Sequence, residues 1–165
     1  MKNIFCIILL CIFLSSCGEE KIEENKAETP QEALVELGKL PKRATPNEEA
    51  KTILRGWTEY NALNTAFNAI YKVENKQDLS VTIEDLIEKQ KLLSKSTYPE
   101  IFNTPAVKSR QKVFQTYVLQ VKSHMKYDLE VKDAVLEMVK AYNAYNNQFS
   151  LIVKSVLDTE LLQDE

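Results

Sequence analysis

From residue 45 onward the chain repeats apolar positions at the three-and-four spacing of amphipathic helices. Thr45-Pro46-Asn47-Glu48 sets out an N-cap, a first-turn proline and a capping-box acid, which predicts the onset of a long helix. Ile53, Trp57, Tyr60, Asn64, Phe67 and Tyr71 form its seam, ending near Asn75 in the polar connection Glu74-Asn75-Lys76-Gln77-Asp78. A second helix is predicted from about Ile83 to Ser94, capped by Thr82, with Ile83, Leu86, Ile87, Gln90 and Leu93 on one face. Tyr98-Pro99 makes Ser96 to Asn103 a loop, because a residue before proline avoids the helical region. Thr104-Pro105 then starts a third helix carrying Val107, Gln111, Phe114, Val118, Val121 and Met125.

No glycine or proline separates this third helix from the next apolar seam, so one very long helix is an alternative. Extending the seam past Met125 would bury Asp128 and Lys132, whereas Val131, Val135, Met138, Tyr142, Tyr145, Phe149, Ile152 and Val156 define a shifted seam. The pattern therefore predicts a turn at Tyr127-Asp128, with Asp128 capping a fourth helix that runs to about Leu162. Strand signals are missing, and three glycines are too few for hairpins. The expectation is an all-α protein, an antiparallel four-helix bundle over residues 45–165.

The N-terminal part reads differently. Lys2 precedes an unbroken apolar run from Ile4 to Leu14, far shorter than the roughly 20 residues needed to span a bilayer. It reads as a secretory leader over residues 1–16. Leu14-Ser15-Ser16-Cys17 resembles the lipobox of bacterial lipoproteins, in which cleavage precedes a cysteine that is then acylated. The resemblance implies lipid attachment at Cys17, and two or more acyl chains anchor a protein stably. Residues 17–44 are rich in Glu and Lys and read as a flexible acidic tether. Within it Thr29-Pro30-Gln31-Glu32 and Gly38 bracket a short helix near 30–37, from which Leu34 and Leu37 would dock on the body. In layout the chain resembles small helical lipoproteins of Bacteroidota-type outer membranes, which implies a lipid-anchored protein of the cell envelope, on the periplasmic side or the cell surface.

Charge and composition narrow the chemistry. The formal net charge is −3, so there is no basic footprint, and no nucleic-acid partner is expected. Gly18, Gly38 and Gly56 lie too far apart for a phosphate-cradling loop. Cys6 and Cys11 fall in the leader, and His124 is the one histidine, so neither a disulfide nor a metal site is expected, and no cofactor. A serine nucleophile would have only His124 or a perturbed lysine as base, which reads as a non-enzyme.

There remains a band of rings and amides. Trp57, Tyr60, Asn61 and Asn64 on the first helix would face Tyr142, Asn143, Tyr145, Asn146, Asn147 and Gln148 on the fourth. Such a band either lines a small-ligand pocket, with Trp57, Tyr60, Asn64, Tyr142 and Tyr145 as its core, or forms a hydrogen-bonded layer that fixes register. Arg55 and Arg110 stand out in a lysine-rich chain; each either clamps a partner's carboxylate or pairs with a neighbouring glutamate. Tyr98, Pro99, Ile101 and Phe102 form an apolar loop that is either a contact surface or a cap on the core. The expected function is a membrane-anchored interaction or structural module of the envelope with a protein partner, the alternative a small-ligand-binding lipoprotein.

Overall fold

A computed structural model describes residues 36–163, with side chains to residue 157. The expected leader, Cys17 and the tether up to residue 35, with most of its short helix, lie outside the described residues; residues 36–44, expected to be flexible tether, are described and pack against the helices. Among the described residues there are five α-helices: α1 (Glu48–Leu54), α2 (Thr58–Phe67), α3 (Lys76–Lys95), α4 (Pro105–Lys126) and α5 (Lys132–Gln163). Short 3-10 turns at Asn68–Lys72 and Glu100–Phe102 sit between them. The protein is all-α, and there is no strand among the described residues.

The first predicted helix is broken in two, so five helices replace the expected four. Gly56 supplies the weak point, since glycine costs about 1 kcal/mol relative to alanine inside a helix. Asn61 makes the break stable: its Nδ2 donates to the carbonyls of Leu54 and Arg55 at 3.1 and 3.0 Å. The start also shifts. Asn47, not Thr45, is the N-cap of α1, its Oδ1 accepting from the Ala50 N–H at 3.1 Å. Its own N–H is held by Ser150 Oγ on α5 at 2.9 Å, which fixes the extended backbone that a cap needs.

α3 begins earlier than its apolar pattern suggests. The segment read as a polar connection is its N-terminus: Asn75 Oδ1 accepts from Asp78 N–H at 2.8 Å while Asp78 reaches back to the Glu74 N–H at 3.3 Å. The arrangement resembles a capping box, with the acid holding the N–H of the residue before the cap. Thr82, expected as the cap, is instead buried inside the helix. α4 starts as expected, Thr104 Oγ1 accepting from Val107 N–H at 3.3 Å and Pro105 filling the first turn.

The turn between α4 and α5 falls where the shifted seam requires it, but Asp128 serves the helix before it. Asp128 has φ +53°, and the N–H of Leu129 reaches back to His124 O at 2.8 Å, that of Asp128 to Met125 O at 3.3 Å. This is a Schellman motif closing α4. His124 completes it, its Nδ1–H donating to Glu130 O at 2.6 Å. Because the carbonyls of α4 claim Leu129 and Asp128, α5 starts only at Lys132.

α3 packs antiparallel to α4, and α4 to α5. Lys122 near the end of α4 pairs with Glu84 near the start of α3 at 2.8 Å. Gln111 near the start of α4 bonds Gln90 near the end of α3 at 3.4 Å. α1 and α2 return against α5, closing one core around Leu63, Phe67, Leu86, Phe114, Val118 and Tyr142, all wholly buried. Before α1 the chain is extended: Leu37 and Leu40 pack on the core, and residues 41–47 run as a strap over α2 and α5.

Candidate functional site

The ring and amide band is present and faces inward. Trp57, Tyr60, Tyr142 and Tyr145 are each at most 3% exposed. Trp57 stacks on Tyr60 with centroids 5.9 Å apart, Tyr60 meets Tyr145 at 6.4 Å, and Phe149 packs edge-on against Trp57, Tyr60 and Tyr145. Phe67 lies flat on Tyr142 at 3.6 Å. Such contacts contribute about 0.5–1.5 kcal/mol per pair beyond burial.

Polar tips in the band find partners, except the Tyr145 hydroxyl. Tyr142 O–H donates to Asn64 Oδ1 at 2.7 Å, and Tyr60 O–H to Asn146 Oδ1 at 2.9 Å. Burial pushes the Tyr142 phenol up to about 12 and holds the Tyr60 and Tyr145 phenols well above their usual range, because a phenolate there would lose its water. The five predicted residues are thus brought together, and their own rings fill the space between them. Asn143 and Asn146 turn instead toward the strap: Asn143 Oδ1 accepts from Ala44 N–H at 2.7 Å and its Nδ2 donates to Lys42 O at 2.9 Å, while Asn146 Nδ2 donates to Ala44 O at 3.0 Å.

Arg43 is a group that the sequence pattern does not single out. Its Nη1 donates to both the carbonyl and Oδ1 of Asn64, at 3.2 and 3.0 Å, so an arginine from the strap abuts the Tyr142–Asn64 pair. Arg55 and Arg110 lie outside the band, both exposed. Arg55 is the C-cap of α1; its charge acts on Glu48, whose carboxyl is held below its usual range mainly by its hydrogen bond to Lys51. Arg110 makes no ion pair among the described residues.

Among the concave surfaces elsewhere are two grooves. An open groove of about 800 Å³ at the α4–α5 turn has a floor of Leu79, Ile83, Met125 and Val131 and a rim including Lys76 and Lys122. Tyr127 and Leu129 stand at the same turn, 64% and 54% exposed. A second groove, about 430 Å³, opens beside Tyr98 and is lined by Ser96, Asn103, Lys108, Gln111, Lys112 and Gln115 among others. In the apolar loop Phe102 is wholly buried against Phe149, so this part caps the core, while Tyr98 stays at the surface against Trp57, 4.7 Å between centroids. Among the described residues no group of three or more His, Cys, Asp or Glu could hold a metal, and no helix is long and apolar enough to cross a membrane.

No family model matches the chain, and no solved structure does. A curated relative is found in Rickettsia typhi, 36% identical over 91 residues, which is 55% of this chain. Its name assigns it, provisionally, as a protein-disulfide oxidoreductase. The match covers 30% of that protein's length. It overturns the expectation of a non-enzyme. That expectation rested on the lack of a base and of paired thiols.

Proposed function

We propose that this chain is an envelope lipoprotein, held at the outer membrane through Cys17, whose helical bundle is the protein-binding part of a thiol–disulfide exchange activity. The observation that carries the reading is the 36% identity with the Rickettsia protein. Thiol–disulfide exchange requires a thiolate that attacks a disulfide sulfur. The three cysteines of the chain are Cys6, Cys11 and Cys17, and none occurs from residue 18 onward. In the anchored form proposed here, cleavage removes Cys6 and Cys11 and acylation occupies the Cys17 sulfur, so the attacking thiol comes from a partner and the bundle contributes recognition. The apolar-floored groove at the α4–α5 turn, flanked by exposed Tyr127 and Leu129, offers a surface for that contact.

The test is a crosslinked pull-down of the full-length chain from native membranes, with free thiols alkylated before lysis. The expected result is a stoichiometric partner bearing a redox-active cysteine pair, released from the membrane fraction together with the chain in Cys17→Ala. A partner without redox-active cysteines would sink the exchange reading. Turnover of a model disulfide by the chain alone would require an unmodified thiol at Cys6, Cys11 or Cys17 and would overturn the anchored form proposed here.

A further inference from the structure

The groove beside Tyr98 differs in charge from the rest of the molecule. The whole chain carries a net charge of −3, yet no carboxylate lines this groove. Lys108 and Lys112, one turn apart on α4, both stand at it, and neither joins a salt bridge among the described residues. Lys108 Nζ lies instead 5.4 Å from the centroid of the Tyr98 ring. Asn103 and Gln115 add amides to the wall.

Behind the wall runs a polar chain. Tyr98 O–H donates to Gln111 Oε1, and Gln111 Nε2 donates to Gln90 Oε1 at 3.4 Å. The chain points inward and ends on an unmet donor: Gln90 Nε2 is buried without a partner, and so is the Tyr145 hydroxyl. Phe114 on α4 meets Tyr142 on α5, which in antiparallel register brings Tyr145 to the level of Gln111. A buried polar group without a partner costs about 1–3 kcal/mol.

Reversing both amides changes this balance with little movement of heavy atoms. Gln90 Nε2 then donates to Gln111 Oε1, Gln111 Nε2 donates to the Tyr98 oxygen, and Gln90 Oε1 becomes an acceptor at the level of the Tyr145 O–H. The Tyr98 proton is freed and can point into the groove beside the two ammonium groups. Reversal moves the spare donor from the core to the surface, and an anionic acceptor in the groove stabilises it there.

We propose that this groove binds a peptide by its terminal carboxylate, held by Lys108, Lys112 and the Tyr98 hydroxyl, with Asn103 and Gln115 available to the peptide backbone. About 430 Å³ lies within the usual range of ligand sites, roughly 300–1,000 Å³. The proposal deepens the protein-binding reading by naming the group that is recognised. Its test uses isolated peptides, so failure here and failure to capture a redox partner are separate results.

Trp57 is a built-in reporter, because its Nε1–H donates to Ser96 Oγ in the groove wall at 2.8 Å and its ring touches Tyr98. The full chain is titrated with N-acetyl-trialanine, its carboxamide and inorganic phosphate, following Trp57 emission and heat. Saturable binding of the acid is expected, at least tenfold weaker for the carboxamide and for phosphate. The exposed double substitution K108Q/K112Q, with unchanged circular dichroism, should weaken the acid at least tenfold, and Tyr98→Phe severalfold. The proposal is overturned if the acid shows no saturation, if acid and carboxamide bind equally, or if phosphate binds as tightly as the acid.

Discussion

Tyr60 on α2 donates a buried hydrogen bond of 2.9 Å to Oδ1 of Asn146 on α5, and the Nδ2 of the same amide donates to Ala44 O on the strap. One side chain thus ties together three segments that have no covalent reason to meet. Asn146 is wholly buried, so both halves of its amide depend on these partners.

Tyr60→Phe removes one donor and leaves Asn146 Oδ1 buried and unpaired. The expected cost is about 1–3 kcal/mol, more than the roughly 1 kcal/mol net value of an ordinary hydrogen bond. Urea denaturation measures it directly. Asn146→Ala should cost more, since the strap bond goes with it, and equal stability of either variant to the parent would refute this account.

The buried phenols make the fold sensitive to base. Tyr142 is pushed up to about 12 by burial, against about 10 in the unfolded chain. Below pH 10 both states hold the proton and the contribution is fully present. Between pH 10 and 12 the unfolded chain binds fewer protons than the native one, so stability falls as pH rises. Tyr142 alone accounts for about 2–3 kcal/mol across that window. The urea midpoint should therefore drop steeply from pH 10 to pH 12, and more gently in Tyr142→Phe. A midpoint equally pH-dependent in both proteins would show that other groups carry the effect.

How far the fold is readable in the sequence depends on the kind of bond involved. The seams of Phe67, Phe114 and Tyr142, and the meeting of Trp57, Tyr60 and Asn64 with Tyr142 and Tyr145, follow from periodicity, because helical spacing alone fixes which side chains share a face. The Thr104-Pro105 start follows from cap chemistry. The break at Gly56 is hidden, since the seam continues through it and only the Asn61 amide, five residues beyond, makes it stable. Arg43 and the strap leave no trace in the pattern: an extended segment held through its backbone by Asn143 and Asn146 needs no period of its own. The polar groove does carry a signal, namely glutamine at two seam positions, Gln90 and Gln111, where the spacing calls for apolar residues.

The strap itself can be released. Asn143→Ala removes both of its bonds to Lys42 and Ala44, leaving Tyr71, Asn146, Ser150 and Arg43 to hold residues 41–47. Limited trypsin digestion should then cut after Lys42 and Arg43 about tenfold faster, as expected for a local opening made about 1.4 kcal/mol easier. Global stability should change less than cleavage does. A variant cleaved at the parent rate would mean that these remaining contacts suffice to hold the strap.

The turn at Asp128 separates backbone conformation from charge. Asp128 is in the left-handed region at φ +53° and pairs with Lys76 Nζ at 2.5 Å, which holds its carboxyl below the usual range. The pair is exposed, its side chains 59% and 84% accessible, so water screens it and it adds little to stability. The left-handed backbone costs an ordinary residue about 1–2 kcal/mol and glycine nothing. Asp128→Gly therefore trades a weak ion pair for relief of backbone strain and should leave the melting temperature within a few degrees of the parent. Asp128→Val loses the pair and adds a β-branched side chain where the Schellman motif requires φ > 0, so it should be less stable than the glycine variant by about 2 kcal/mol. Lys76→Ala, which breaks the same pair without touching the backbone, should resemble the glycine variant. If the lysine substitution were instead as damaging as the valine one, the ion pair and not the turn geometry would be what holds α4 against α5.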